Sequence, residues 1–356
     1  MQAMQYYGRA IDLDPENVLA YNGMGMAYRA AGKAREAEHF LQRALSLDSK
    51  VIDTYNNLGI VYAESGRLEQ AGAVYRKALE IDPTSAVMRY NLGAFYAQIG
   101  SLTQAVEQYK SAVALSPDMY QAHNNLALAY IALGKPAEAV AAYELSIELN
   151  PRQSRAYYNL GLVHEEEGRF ERAAAYFEKA LDKSLIIPDV HYHLGLAYAG
   201  LHQAEQAMEQ YQKALALDSS HKGAYYRIGL LHAEEQRYDE AETYYKKAID
   251  IDLQFAEAHY NLGRVLLKQG KAEQAKQEME LFRTMSAYSK EAENFTKILL
   301  YMPGDATSHW ELGRVHEKYG HHDRAIAEYR KALSIRPGFH QARQSLTAAL
   351  EVSEVR

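Results

Sequence analysis

The sequence predicts an all-α solenoid of stacked antiparallel helix pairs. A Leu-Gly dipeptide, or a close relative, recurs every 34 residues. Apolar residues around it fall at i, i+3, i+4 and i+7, the spacing of one helix face. The 356 residues are 48% hydrophobic yet contain no Ser/Gly/Pro-rich linker, so a string of separate domains is not expected.

The dipeptide appears as Met24-Gly25, Leu58-Gly59, Leu92-Gly93, Leu126-Ala127, Leu160-Gly161, Leu194-Gly195, Ile228-Gly229 and Leu262-Gly263, then out of phase as Leu312-Gly313. With its Gly set as position 8, positions 4, 7, 8 and 11 form the core stripe of a first helix. Positions 20, 24, 27 and 28 form that of a second. Position 11 is Tyr or His in most copies (Tyr28, Tyr62, Tyr96, Tyr130, His164, Tyr198, His232, His316). Position 20 is Ala throughout, from Ala37 to Ala325, and position 24 is large, as in Tyr75, Phe177 and Tyr211. Small residues at 8 and 20 let two helices approach closely, and the bulk at 7, 11 and 24 fills the surrounding space. Gly32, Gly66, Gly100, Gly134 and Gly168 are expected to close the first helix in a left-handed cap. Pro83, Pro117, Pro151 and Pro337 stop the second. One pair cannot bury this much apolar surface, so neighbours must stack.

Seven regular repeats span 18–255 in 34-residue steps. Residues 1–17 match only a second helix (Ala3, Tyr7, Ala10, Ile11), so the chain opens in mid-unit. That predicts either a fragment of a longer protein or an end that packs on another chain. Residues 256–305 read as a degenerate repeat, with Phe282-Arg283 in place of Ala-Leu, plus an extra amphipathic helix over 288–302. This stretch is expected to bend the superhelix or split it into two lobes. A good repeat follows at 306–339, and 340–356 reads as a capping helix.

This period and these co-registered positions resemble the tetratricopeptide repeat over nearly the whole chain. The resemblance implies a right-handed superhelix whose concave groove binds extended peptides or partner helices.

Composition excludes several other functions. A net charge of −7, with no run of like charges, leaves no basic stripe for nucleic acid. No apolar run approaches the roughly 20 residues of a membrane span. No signal peptide is visible, and a cytoplasmic protein is expected. Cysteine is absent, which removes disulfides and thiolate chemistry together. Phosphate loops, nucleophile elbows and metal-ligand spacings are missing, so no catalytic residue, cofactor or metal is assigned.

Binding residues are sought on the first helix, opposite the core stripe. Position 6 carries Asn57, Asn91, Asn125, Asn159 and Asn261. A carboxamide offers a donor and an acceptor, so such a ladder can hold a guest backbone or bond within and between repeats. The Asn row resembles the repeat region of the O-linked N-acetylglucosamine transferases, whose catalytic domain has no counterpart here. Position 5 carries Tyr158, Tyr192, Tyr226 and Tyr260, which either stack on a ligand or pack on the neighbouring helix. Position 9 lacks the Asn, and position 5 the Lys, of chaperone-tail binders. Arg264 and Arg314, with Lys268 and Lys318, follow an acidic stretch and would orient a bipolar ligand.

The expected function is therefore a protein–protein interaction scaffold with a protein or peptide partner. Two alternatives stand beside it: a structural subunit that self-associates through its open half repeat or convex face, and the substrate-recruiting part of an enzyme whose catalytic domain lies outside this chain.

Overall fold

The structure is a computed structural model that describes residues 2–354. Every element among the described residues is a helix. Packing divides the chain into two units, Met1–Ile186 and Ile187–Arg356. The division falls there and away from 280–305, where the sequence suggests it.

In the first unit, α1 (Gln2–Leu13) precedes the pairs α2–α3 (Val18–Ala30, Ala34–Leu47), α4–α5 (Ile52–Glu64, Leu68–Ile81), α6–α7 (Ala86–Gln98, Leu102–Leu115), α8–α9 (Tyr120–Ala132, Pro136–Leu149) and α10–α11 (Ser154–Glu166, Phe170–Asp182). The second unit holds α12–α13 (Pro188–Gly200, Ala204–Leu217), α14–α15 (Lys222–Glu234, Tyr238–Ile251), α16–α17 (Ala256–Lys268, Ala272–Tyr301), α18–α19 (Ala306–Lys318, His322–Ile335) and α20 (His340–Glu354). Within each unit a second helix packs on its own first helix and on the first helix of the next repeat.

The close approach has a simple cause. The position-20 alanines, from Ala37 to Ala325, are fully buried. The position-24 ring then lies flat on the backbone at position 8. A methyl group on Gly161 would come within 2.6 Å of the Phe177 ring, and one on Gly229 within 2.7 Å of Tyr245. At these positions the missing side chain leaves room for the ring. Ala127 stands at position 8 in one repeat, where Tyr143 is still fully buried.

The caps follow the same period. Gly32, Gly66, Gly100, Gly134 and Gly168 have φ of 68–76°, as their sequence placement predicts. Gly270 and Gly320 do the same. His202 and Gln236 occupy this place in two repeats and are forced to φ of 59° and 58°. A side chain there meets the backbone strain that glycine avoids.

The extra helix expected over 288–302 is not separate. It is the second half of α17, which runs 30 residues where regular second helices run 13 or 14. Other second helices end at a turn residue: Asp48, Asp82, Asn150, Asp218 and Asp252 each accept a backbone N–H two residues on. The corresponding residue here is Ser286, followed by Ala287 with no proline, so nothing stops the helix before Pro303. Phe282 also replaces the fully buried alanine of position 27 and packs on Tyr260 at 5.0 Å. Its bulk blocks the place where the next first helix would dock.

Polar wiring also repeats. The position-4 side chain reaches back to a carbonyl six residues earlier, in the turn between repeats. Tyr55 donates to Ser49 O at 3.0 Å, His123 Nε2 to Pro117 O at 2.9 Å and His309 Nε2 to Pro303 O at 3.1 Å. Where position 4 is Arg or His, position 23 often supplies a second partner. Arg89 donates to Gln108, and His191, His259 and His309 meet Gln210, Glu278 and Glu328 at 2.5–2.8 Å. Where position 4 is Tyr, position 23 is apolar or aromatic, as in Tyr157–Tyr176 and Tyr225–Tyr244.

Glu242 ties α15 to the α16–α17 turn, accepting from Lys246 and Lys271 at 2.6 Å each. Burial works to raise its carboxyl, but these hydrogen bonds outweigh it and hold the group down to about 2.

Two outcomes are expected. His202→Gly and Gln236→Gly should each stabilise the chain by about 1 kcal/mol in urea unfolding, because the left-handed cap loses its Cβ clash. Glu242 contributes stability above the ordinary carboxylate range, lost as pH falls towards 2. Glu242→Gln should therefore flatten the stability–pH curve between pH 4.5 and 2, read by acid titration of the helical signal.

Candidate functional site

The first helices of successive repeats present positions 5, 6, 9, 12 and 13 on a common face. Position 6 of one repeat meets position 5 of the repeat before it. Asn57 Nδ2 donates to Asn22 Oδ1 at 3.0 Å and Asn91 Nδ2 to Asn56 Oδ1 at 2.6 Å. Asn125 donates to the Tyr90 hydroxyl at 3.2 Å and Asn261 to the Tyr226 hydroxyl at 2.9 Å. The last rung reverses direction, with Trp310 Nε1 donating to Ser345 Oγ at 3.1 Å. The asparagines therefore join neighbouring repeats. Each such amide spends a donor inside the protein, and Asn57 is buried outright.

The tyrosines of position 5 also pack inward. Tyr158 lies 5.8 Å from the Phe177 ring and Tyr192 6.0 Å from Tyr211. Tyr226 sits between Tyr245 and Phe255, at 5.9 and 5.0 Å. Tyr260 shows the most surface of the four, 38%, with Arg264 over its face at 5.7 Å. Of the basic group, Arg314 pairs with Glu311 at 3.1 Å and lies over Trp310, and Lys318 pairs with Glu291 at 2.7 Å. Two of the four expected cations thus already have carboxylate partners.

Space remains between the rungs of this face. A cleft of about 380 Å³ lies where α6, α7 and α8 meet, walled by Ala94, Ala97, Leu102 and Leu128. Asn125 forms part of its lining beside Tyr109. Burial pushes the Tyr109 phenol far above its ordinary range, and Asn125 pulls the other way through a hydrogen bond. Asn159 approaches the Tyr143 hydroxyl in the same manner one repeat later.

A second cleft, of about 360 Å³, lies where α14, α15 and α16 meet. Its lining matches the first position for position, four repeats on: Leu230 for Ala94, Ala233 for Ala97, Tyr238 for Leu102 and Asn261 for Asn125. Its rim differs. Glu234, Arg264 and Lys268 surround it, where Gln98 and Leu128 flank the first. One recess thus recurs in both units with different charge. The wall residue at position 17, such as Leu102 or Tyr238, was not among the sequence candidates. Its signal is an apolar residue in the otherwise polar opening turn of a second helix.

Among the described residues, no group of three or more His, Asp or Glu side chains is placed to hold a metal. No helix among them is long and apolar enough to cross a membrane.

Stacked helix pairs, with a small residue at position 8 and a cleft that recurs between first helices, define a helical-repeat solenoid. Tetratricopeptide-repeat family models match residues 17–84, 50–118, 124–184, 188–221, 229–270 and 306–339. The chain belongs to the tetratricopeptide repeat family. It is similar in fold to pilF of Pseudomonas aeruginosa, at 22% identity and a TM-score of 0.53, over 62% of this chain and 96% of that one. It is similar also to PilW, a widely conserved type IV pilus biogenesis factor, at 22% identity and a TM-score of 0.51, over 56% and 92%. YrrB, a repeat protein with an unusual peptide-binding site, matches at 24% identity and a TM-score of 0.47, over 55% and 97%. No curated protein matches the chain.

The rung makes a direct prediction. In a double-mutant cycle, Asn56→Ala and Asn91→Ala should couple by about 0.5–1.5 kcal/mol, the net worth of one hydrogen bond. Additive losses in urea unfolding would show that the rung contributes nothing.

Proposed function

We propose that this chain is a non-catalytic protein-interaction scaffold that takes an extended segment of a partner protein into the inter-repeat clefts of its first-helix face. The observation that carries this is the recurrence of one recess, of about 380 and 360 Å³, at the same repeat position in both units. Each has apolar walls for a side chain and an asparagine oxygen beside them as an acceptor for a backbone N–H. A guest in extended form would send alternate side chains into such recesses.

The rungs set the role of the asparagines in this reading. Their amide nitrogens hold adjacent repeats in register, and their oxygens keep a lone pair for the guest, although Asn125 Oδ1 already accepts from Asn124 Nδ2 at 3.3 Å. The tyrosines stiffen the cleft walls from beneath. The charged rim of the second cleft orients the guest, with Arg264 drawing an acidic residue towards it.

Leu128→Glu and Leu230→Glu would put a carboxylate at each cleft. Both side chains are only half-buried or exposed, so the fold should survive. Affinity capture with the intact chain, read by mass spectrometry, should yield a partner whose recovery falls at least tenfold with the double variant. Such a loss needs about 1.4 kcal/mol. Undiminished recovery of that partner, with unchanged thermal unfolding, would exclude the clefts. Arg264→Glu should weaken an acidic partner further and leave a neutral one unaffected.

A further inference from the structure

The second half of α17 is held to α18 and α19 by a polar cluster built on one phenol and two imidazoles. The Tyr288 hydroxyl lies 3.1 Å from His316 Nδ1, and Arg324 Nη1 donates to the same oxygen at 3.2 Å. Arg324 can only donate, which leaves the phenol proton free for His316 Nδ1 when that ring nitrogen is unprotonated. The His321 ring packs against Tyr288 at 4.4 Å, and its Nδ1 lies 3.5 Å from Gln254 in the α15–α16 turn. One phenol thus gathers two imidazoles and a guanidinium, where α17 runs past the end of the preceding repeat.

We propose that this joint is an acid-sensitive latch: protonation of His316 and His321 loosens α18–α20 from α17 while the pairs α12–α16 keep their packing. Protonating His316 at Nδ1 reverses that hydrogen bond, so the Tyr288 oxygen faces two cationic donors and its own proton loses its acceptor. It also sets a new positive charge against Arg324.

The groups facing each ring are named easily. Around His316 stand Tyr288 on α17, Arg324, Glu328 and Lys331 on α19, and His321 in the turn. Glu328 alone favours the charged ring, and it is already engaged by His309 and Lys331. Around His321 stand Arg324, His322, Tyr288 and Tyr319. Both rings are held below the ordinary histidine range, by burial first and by Arg324 among the charges. Groups with depressed values stabilise the joint fully above the ordinary histidine pKa of about 6.5 and lose that contribution as pH falls.

The surroundings favour opening here. A cavity of about 670 Å³, lined by Phe282, Met285, Tyr288, Tyr319 and His321, already separates the two sides. Glu257, Lys290 and Glu293 also line it, one cation against two carboxylates. By contrast, His232, at the same repeat position as His316, stacks on Tyr244 at 5.2 Å inside the regular packing.

Amide hydrogen exchange at pH 7.5 and pH 5.0, corrected for intrinsic rates, tests the latch. Protection in 285–302 and 306–320 should fall about tenfold or more at pH 5.0, while 222–268 changes much less. His316→Tyr restores the residue found at this position in five other repeats. Combined with His321→Gln, it should abolish the local change. Should that pair fold poorly, Arg324→Gln should shrink the change by relieving the charge clash. No loss of protection, equal loss across 222–320, or a full acid response in these variants would each overturn the proposal.

Discussion

The fold depends on one contact, made again along the chain: a large side chain at position 24, usually a ring, laid on a small residue at position 8. A fully buried side chain of this size is worth about 1.5–3 kcal/mol, and it is gained only if the two helices come close. Alanine at position 20 permits that approach, and glycine at position 8 accepts the ring. A lone pair built this way leaves its other faces uncovered. Stacking therefore follows from the same contact, and with it the row of recesses between first helices.

Around this apolar contact the polar groups are committed in a fixed scheme. Position 4 satisfies a turn carbonyl, and position 23 adds a partner where position 4 is Arg or His. Position 6 ties several repeats to the one before, as at Asn57, Asn91, Asn125 and Asn261. An inner face rich in Asn and Tyr thus looks like a recognition surface in one dimension, and in three much of its hydrogen-bonding capacity is spent on register. The hollows that this wiring leaves open are the surface proposed for recognition. The scheme also explains how Asn, Tyr, His and Arg alternate at equivalent positions without disturbing the packing: each brings a group able to reach a partner in the adjacent repeat.

α17 shows what happens when the rules lapse together. Phe282 fills the place reserved for alanine, Ser286 stands where an Asp or Asn begins the turn, and proline is delayed to 303. The helix continues because nothing tells it to stop. The next pair then docks on its far half through a joint built on Tyr288, His316 and His321.

The helix pairs, their period, the glycine caps and the irregularity near Phe282 were all determined by local signals: side-chain size, backbone freedom and helical spacing. Those act over a few residues and survive in a linear reading. The destination of the Asn and Tyr side chains did not, because position 6 meets position 5 of the previous repeat only after the helices have stacked. Whether Asn91 faces a guest or Asn56 depends on a separation of 35 residues closed by packing. Tertiary structure likewise decided which cations of the basic group meet carboxylates. Each outcome reflects a contest between partners that only folding brings within reach.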